Sequence, residues 1–272
     1  MRNLIAETYR ILWRAPLKCV FGKDYILRLQ KSKYVKAASS LEGRLSNYVV
    51  RTLKDFVQLK IPEGSVLGIN DNGTLYYAYE IFMKGVYDKF HPPKKRDIVI
   101  DVGAHIGLFT LKVARRVRLV VAVEPHPINF YFLTSNIKTN HLENVIPMNI
   151  ALSNFSGITK LYFGKFSGSH TIMEDRVKDT NRFILVKVET LDDIVQKLGL
   201  KGDLFVKIDV EGAELRVLEG ARKVLQRSNV HLSIAAYHTQ SEALEIAKFL
   251  SRLGFRVRIY SAISGAFIYA DK

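Results

Sequence analysis

The 272-residue sequence contains a single cysteine, Cys19. That excludes an internal disulfide and a zinc centre built on clustered cysteines, and it fits a reducing cytoplasm. No stretch approaches the roughly 20 consecutive apolar residues that a membrane-crossing helix needs. Glu7, Arg10 and Arg14 interrupt the apolar positions at the start of the chain, which argues against a secretory signal. Internal repeats and low-complexity segments are missing as well. Acidic residues are outnumbered: 26 Asp and Glu against 41 Lys and Arg give a net charge of +15. The excess is uneven, because residues 1–60 hold thirteen Lys and Arg against four Asp and Glu, a balance of +9. A basic segment of this kind can contact anionic lipid or nucleic acid; a solvated helical face is the plainer account.

Hydrophobic residues make up 48% of the chain, enough for a sizeable core. Residues 4–21 form an amphipathic pattern that predicts a helix bent at Pro16, with Arg10, Arg14 and Lys18 on its polar side. Such a helix either lies on an anionic membrane surface or caps the main domain. Residues 42–59 predict a second helix, with Leu45, Val49, Leu53, Phe56 and Val57 at three- and four-residue steps. Residues 66–69 and 74–79, on either side of Asn70-Asp71-Asn72-Gly73, read as a hairpin, followed by a short helix. Pro92-Pro93 and the run Lys94-Lys95-Arg96 mark a boundary. The expected division is a basic, mainly helical cap with a hairpin over 1–93 and a second domain over 94–272.

From Asp97 onward, strand and helix patterns alternate. Ile98, Val99 and Ile100 form a β-branched run suited to a strand buried on both faces. Further strands are expected over 119–124, 145–152, 204–209 and 230–236, with helices over 127–139, 213–226 and 241–253. Strands over 158–163 and 183–188 flank a polar loop, 164–182. This alternation predicts an α/β fold, a mostly parallel sheet with helices on both faces.

Ligands in such folds collect at the C-terminal ends of the strands. The polar residues there are Asp101, Glu124, Asn149 or Ser153, Asp209 with Glu211, and Tyr237 with His238. Glu124 follows Asp101 by 23 residues (124 − 101), the place from which a carboxylate can accept hydrogen bonds from both ribose hydroxyls of a nucleoside. The first turn reads Gly103-Ala104-His105-Ile106-Gly107 and lacks the Gly-x-Gly-x-x-Gly of a dinucleotide site. Asp101 would also set negative charge near a pyrophosphate. S-adenosylmethionine has no phosphate and carries an ammonium group, so it suits this turn better than NAD.

The runs Asp101-Val-Gly-Ala-His-Ile-Gly107, Val123-Glu124-Pro125-His126-Pro127, Asn136 with Asn140, Ala151-Leu152-Ser153, Leu191-Asp192 and Lys207-Ile208-Asp209-Val210-Glu211-Gly212-Ala213-Glu214 together resemble the FkbM family of S-adenosylmethionine-dependent methyltransferases. The resemblance covers roughly 97–255. It implies a class I methyltransferase (Rossmann-like) fold with a seven-stranded sheet whose last strand is antiparallel. It also implies O-methylation of a hydroxyl on a glycan or other small molecule. The cofactor would be held by Asp101, Gly103, Ala104, His105, Gly107, Glu124, Asn149 and Ala151. His105 stands where the family commonly has Asn, and Ala235-Ala236-Tyr237-His238 ends a strand where many relatives place a glutamate.

A neutral alcohol is a weak nucleophile, so the chain must supply a base. Asp209, Glu211 and His238 are the candidates. The same three could instead hold a divalent cation that lowers the hydroxyl's pKa. The acidic residues at strand ends have structural alternatives, since acids also cap helix starts. The charge of +15 motivates an RNA substrate. However, no Asn/Asp-Pro-Pro-Tyr run follows the fourth core strand, and no interleaving of basic and aromatic residues marks a stacking platform. A binding protein that has kept the fold and lost turnover is the non-enzymatic alternative.

Overall fold

The computed structural model describes residues 49–52, 56–61, 63–69, 72–178, 180–238, 241–262 and 264–272. The amphipathic pattern over 4–21, with its expected membrane contact, lies outside them. The first described elements are strands, β1 (Val49–Thr52), β2 (Phe56–Ile61) and β3 (Gly64–Ile69), paired as an antiparallel meander. Over 49–52 and 56–59 they replace the helix expected over 42–59, and the rest of that stretch lies outside the described residues. Phe-Val-Gln-Leu-Lys-Ile alternates apolar and polar at Val57, Gln58, Leu59, Lys60 and Ile61, and this period of two prevails over the looser three- and four-residue spacing. Leu59 and Ile61 are buried.

The second arm of the expected hairpin is also corrected. Asn72–Ala78 is a helix, α1, continued by a π-helical turn over Tyr79–Lys84 that stops at Gly85 with φ +60°. Short polar side chains suit a helix start as well as a hairpin turn, so the Asn-Asp-Asn-Gly run did not discriminate.

The alternating part follows as expected: β4 (Ile98–Val102), α2 (Leu108–Ala114), β5 (Leu119–Val123), α3 (Pro127–Thr139), β6 (Val145–Met148), β7 (Ala151–Leu152), β8 (Gly157–Tyr162) and β9 (Phe183–Glu189). Then come α4 (Leu191–Lys197), β10 (Leu204–Ile208), α5 (Glu214–Glu219), β11 (Val230–Ala235), α6 (Glu242–Arg252), β12 (Arg256–Ser261) and β13 (Ala266–Asp271). The strand expected over 145–152 is split into β6 and β7, which belong to different sheets.

Seven strands form the main sheet in the order β12-β13-β11-β10-β4-β5-β6. All pairings are parallel except those of β13, the last strand, which runs antiparallel to β11 and β12. Every residue of β4 and β10 is buried. Ile98, Ile100 and Val102 pack into one core cluster with Leu204, Val206 and Ile208, whereas Val99 joins a second with Phe205, Val120 and Ala122. That alternation commits both faces of the sheet, each large side chain contributing about 1.5–3 kcal/mol of burial. Leu59, Ile61, Val66, Val86 and Tyr87 belong to the second cluster. A smaller sheet, β7-β9-β8, stands apart from the main one. Among the described residues no helix is long and apolar enough to cross a membrane.

Two asparagines of the family-like pattern join β3 to α3. Asn136 accepts a hydrogen bond from the Leu67 N–H (2.8 Å) and donates to Leu67 O (2.9 Å) and Ile106 O (2.8 Å). Asn140 accepts from the Ser65 N–H (2.7 Å) and donates to Ser65 O (2.6 Å). Their amides thus complete the backbone pairing on the free edge of β3. Replacing Asn136 with alanine strands three backbone groups, and a loss of about 2–4 kcal/mol in unfolding free energy by urea titration is expected.

Candidate active site

The turn from β4 into α2 builds the first wall. Gly103 (φ +74°) and Gly107 (φ +90°) both adopt the left-handed conformation. The N–H groups of Gly103 and Ala104 donate to Val123 O at 3.0 and 2.9 Å, so the turn is pinned to the end of β5. Glu124 follows immediately. Its carboxylate accepts the N–H of His105 (Oε2, 2.9 Å) and of His126 (Oε1, 2.8 Å). Burial pushes the Glu124 pKa up to about 7, against the lowering effect of those two N–H groups. The carboxylate borders an open cleft.

The cleft is lined by Gly103, Ala104, His105, Glu124 and Ala151 among the residues expected at the cofactor. Asp101, Gly107 and Asn149 stand outside that lining. Asp101 is fully buried on the α2 side, where its Oδ2 accepts the Thr110 hydroxyl (2.7 Å) and its Oδ1 lies 3.2 Å from Lys207 Nζ. Gly107 starts α2. Asn149 is exposed and donates to Glu124 O (2.9 Å) and Pro125 O (3.0 Å). These three hold the backbone of the site from behind.

The end of β10, the neighbour of β4 in the sheet, borders the same cleft. Asp209 is tied to β4 by its N–H on Val102 O (3.1 Å). Glu211 (φ +57°) and Gly212 (φ +97°) reverse the chain into α5, and Thr171 Oγ1 donates to Glu211 O at 2.9 Å. Asp209 and Glu211 both line the cleft. His238 does not. Its Nε2 lies 3.3 Å from Glu214 and 3.7 Å from Asp209, and its Nδ1 lies 3.5 Å from Glu211. Burial alone would lower the pKa of this imidazole, but the adjoining carboxylates of Asp209, Glu214 and Glu211 raise it to about 11. It is therefore an imidazolium across the neutral range. Burial would raise Asp209, but His238, Lys207 and Tyr87 together hold it below the usual carboxylate range. Glu211 is raised, by burial first and then by the charge of Asp209.

The three side chains that a divalent cation would use stand close together. Asp209, Glu211 and His238 each offer one ligand atom, all within 4.8 Å of one another. Both ring nitrogens of His238 face carboxylates, however, and an imidazolium has no lone pair for a metal. The three side chains are read as a charge-compensated cluster, one imidazole between carboxylates on both ring nitrogens.

The S-adenosylmethionine fit is better supported. Glu124 is a buried carboxylate facing open space, and Asn129 Oδ1, on a residue that also lines the cleft, is a buried acceptor with no protein hydrogen bond. The turn leaves backbone rather than side chain at Gly103: a Cβ there would lie 1.8 Å from Asp209 O. Part of the 164–182 loop covers this side, with Ser167 O accepting from Asn129 Nδ2 (2.7 Å) and Ser167 Oγ lying 3.0 Å from His105 Nε2.

Several residues were missed by reasoning from sequence. Lys207 lines the cleft and donates to Gly103 O (2.6 Å). A lysine inside Leu-Phe-Val-Lys-Ile, an otherwise apolar strand, was the signal for it. Tyr87 donates its hydroxyl to Asp209 Oδ2 (2.7 Å), and burial, followed by the charge of Asp209, keeps it protonated. Tyr77 and Glu80 complete this part of the lining, beside Tyr237, which was expected at the end of its strand. No local pattern distinguishes Tyr77, Glu80 or Tyr87 from ordinary core residues.

A family profile described as the methyltransferase FkbM domain matches residues 101–257. The chain is 27% identical over 240 residues to the 31-O-demethyl-FK506 methyltransferase FkbM of Streptomyces tacrolimicus, covering 75% of this chain and 91% of that protein. It is 30% identical over 157 residues to the hexuronic acid methyltransferase AglP of Haloferax volcanii, covering 57% and 62%. Among solved structures, the methyltransferase FkbM from Methylobacillus flagellatus KT has a similar fold, with a TM-score of 0.51 at 20% identity. That similarity spans 71% of this chain and 47% of the other, so the chain covers about half of that structure.

Proposed function

The chain belongs to the FkbM methyltransferase family, and from that membership we propose that it transfers the methyl group of S-adenosylmethionine to a hydroxyl oxygen of a small molecule or glycan. The observation that carries this reading is the meeting at one cleft of a nucleoside-type carboxylate, Glu124, and two further carboxylates, Asp209 and Glu211. The names of the two relatives, one acting on a demethylated oxygen and one on a hexuronic acid, support an oxygen acceptor. When bound, S-adenosylmethionine supplies an already electrophilic methyl group. Glu124, with His105 and His126 orienting its oxygens, holds the ribose hydroxyls. The backbone of Gly103 and Ala104 allows close approach. Asn129 offers its free oxygen to a donor.

The chain's remaining task is to orient a hydroxyl and take its proton. Asp209 is an ionised acceptor fixed by Tyr87, and its Oδ1 makes no hydrogen bond of its own. It suits orientation of the incoming hydroxyl. Its lowered pKa makes it a weak base. Glu211, with its raised pKa, is matched to proton removal near neutrality. His238, protonated throughout, stabilises the charge left on both carboxylates.

The test is a methyl-transfer assay against a panel of hydroxylated acceptors, run across pH at saturating S-adenosylmethionine. Glu211 must lose its proton to act, and its pKa lies above the ordinary glutamate value. The rate is therefore expected to rise with pH through the neutral range into mild alkali. A rate that falls over that range removes Glu211 as the base. Acceptors modified at nitrogen or carbon alone remove the hydroxyl reading.

A further inference from the structure

The small sheet β7-β9-β8 has two unlike faces. On one, Leu161, Val186 and Val188 pack with Ala151, and Leu161 walls the cleft. On the other, the cross-strand pairs are Ile158 with Lys187, Lys160 with Leu185, and Tyr162 with Phe183. Ile158 is 71% exposed and Leu185 67%, and Phe183 is exposed as well. Ile158 and Leu185 are diagonal neighbours, so two large aliphatic side chains stand together in water at the edge of a sheet. Lysines are interleaved with them. Lys160 Nζ lies 4.5 Å from the centre of the Phe183 ring. The only acid in either strand is Glu189, which is buried and bridged to Lys187 and Lys197. Glu174 meets the Tyr162 hydroxyl at one end of this face, so the cationic part of the apolar surface is the stretch around Lys160 and Lys187.

We propose that the outward face of β8 and β9 docks on an anionic lipid surface. Ile158, Leu185 and Phe183 enter the boundary between headgroups and acyl chains, and Lys160 meets the lipid phosphates. A second copy of the chain is the poorer occupant, because a twofold contact would set the two lysine rows against each other. Docking this face leaves the cleft on the opposite side of the same sheet. The proposal does not depend on which acceptor is methylated.

The test is flotation of the full chain with phosphatidylcholine vesicles, with and without phosphatidylglycerol. Flotation is expected with the anionic vesicles. The double variant Ile158→Ser, Leu185→Ser should lower the bound fraction about tenfold or more. Lys160→Gln, a surface change that spares the apolar pair, should lower it about fivefold and weaken the salt dependence. S-adenosylhomocysteine affinity, measured alongside, should stay constant in all variants and so separates a failed fold from a failed surface. Absence of flotation by the unaltered chain overturns the proposal. So does equal flotation by both variants, which would assign lipid contact to another part of the chain.

Discussion

Replacing Glu211 with glutamine should lower kcat for methyl transfer by about 10²–10⁴-fold, the usual contribution of a positioned base. Affinity for S-adenosylhomocysteine should change by no more than about threefold, since Glu211 follows β10 and Glu124 follows β5, on either side of β4. The glutamine keeps the shape of the side chain and removes the group that takes the proton. Its effect should therefore appear in kcat with little change in KM, and the alkaline rise in rate should vanish with it. Asp209→Asn makes a different break. It removes the charged acceptor of the Tyr87 hydroxyl and a partner of His238, so it should raise the acceptor KM while some pH dependence survives. The two variants separate the roles by the kinetic parameter each one moves. An unchanged kcat in Glu211→Gln would assign proton removal elsewhere.

The second large effect is expected at Gly103. A Cβ there would lie 1.8 Å from the carbonyl oxygen of Asp209 and 2.9 Å from its carbon, both backbone atoms that cannot rotate away. The left-handed φ of +74° adds about 1–2 kcal/mol for any L-residue. Gly103→Ala must push the β4 turn away from β10. That displaces the N–H groups held on Val123 O and, through His105, the grip on Glu124. S-adenosylhomocysteine affinity in calorimetry should fall by about 100-fold or more. Gly107→Ala is the matched control. Its Cβ would meet Leu133 Cδ1 at 2.7 Å, the end of a side chain that can move, so a smaller loss is expected despite the φ of +90°.

The central sheet was legible because its strands carry the signal in composition. Ile98, Val99 and Ile100 are β-branched and buried on both faces, and Glu124 and Asp209 fall where apolar runs stop. The two carboxylate walls followed from that alone. Position along a strand does not say which way a side chain points, however. Asp101 shares the face of Val99, under α2, and so serves Thr110 and Lys207 rather than the cleft. Asn149 turns back onto the Glu124 and Pro125 carbonyls. His238 could be placed near Asp209 from the chain order, but its protonation depends on Glu211 and Glu214 arriving on the other side of the ring, a tertiary fact. The strands at 49–61 were hidden by apolar spacings compatible with either period. Tyr87 and Glu80 reach the cleft through the packing of a segment with no motif of its own.

The most direct measurement is a crystal structure of the chain with S-adenosylhomocysteine. The ribose hydroxyls should meet the Glu124 carboxylate, with the sulfur facing open space bordered by Asp209 and Glu211. A nucleoside seated away from Glu124, or a sulfur turned from both acids, would contradict the account.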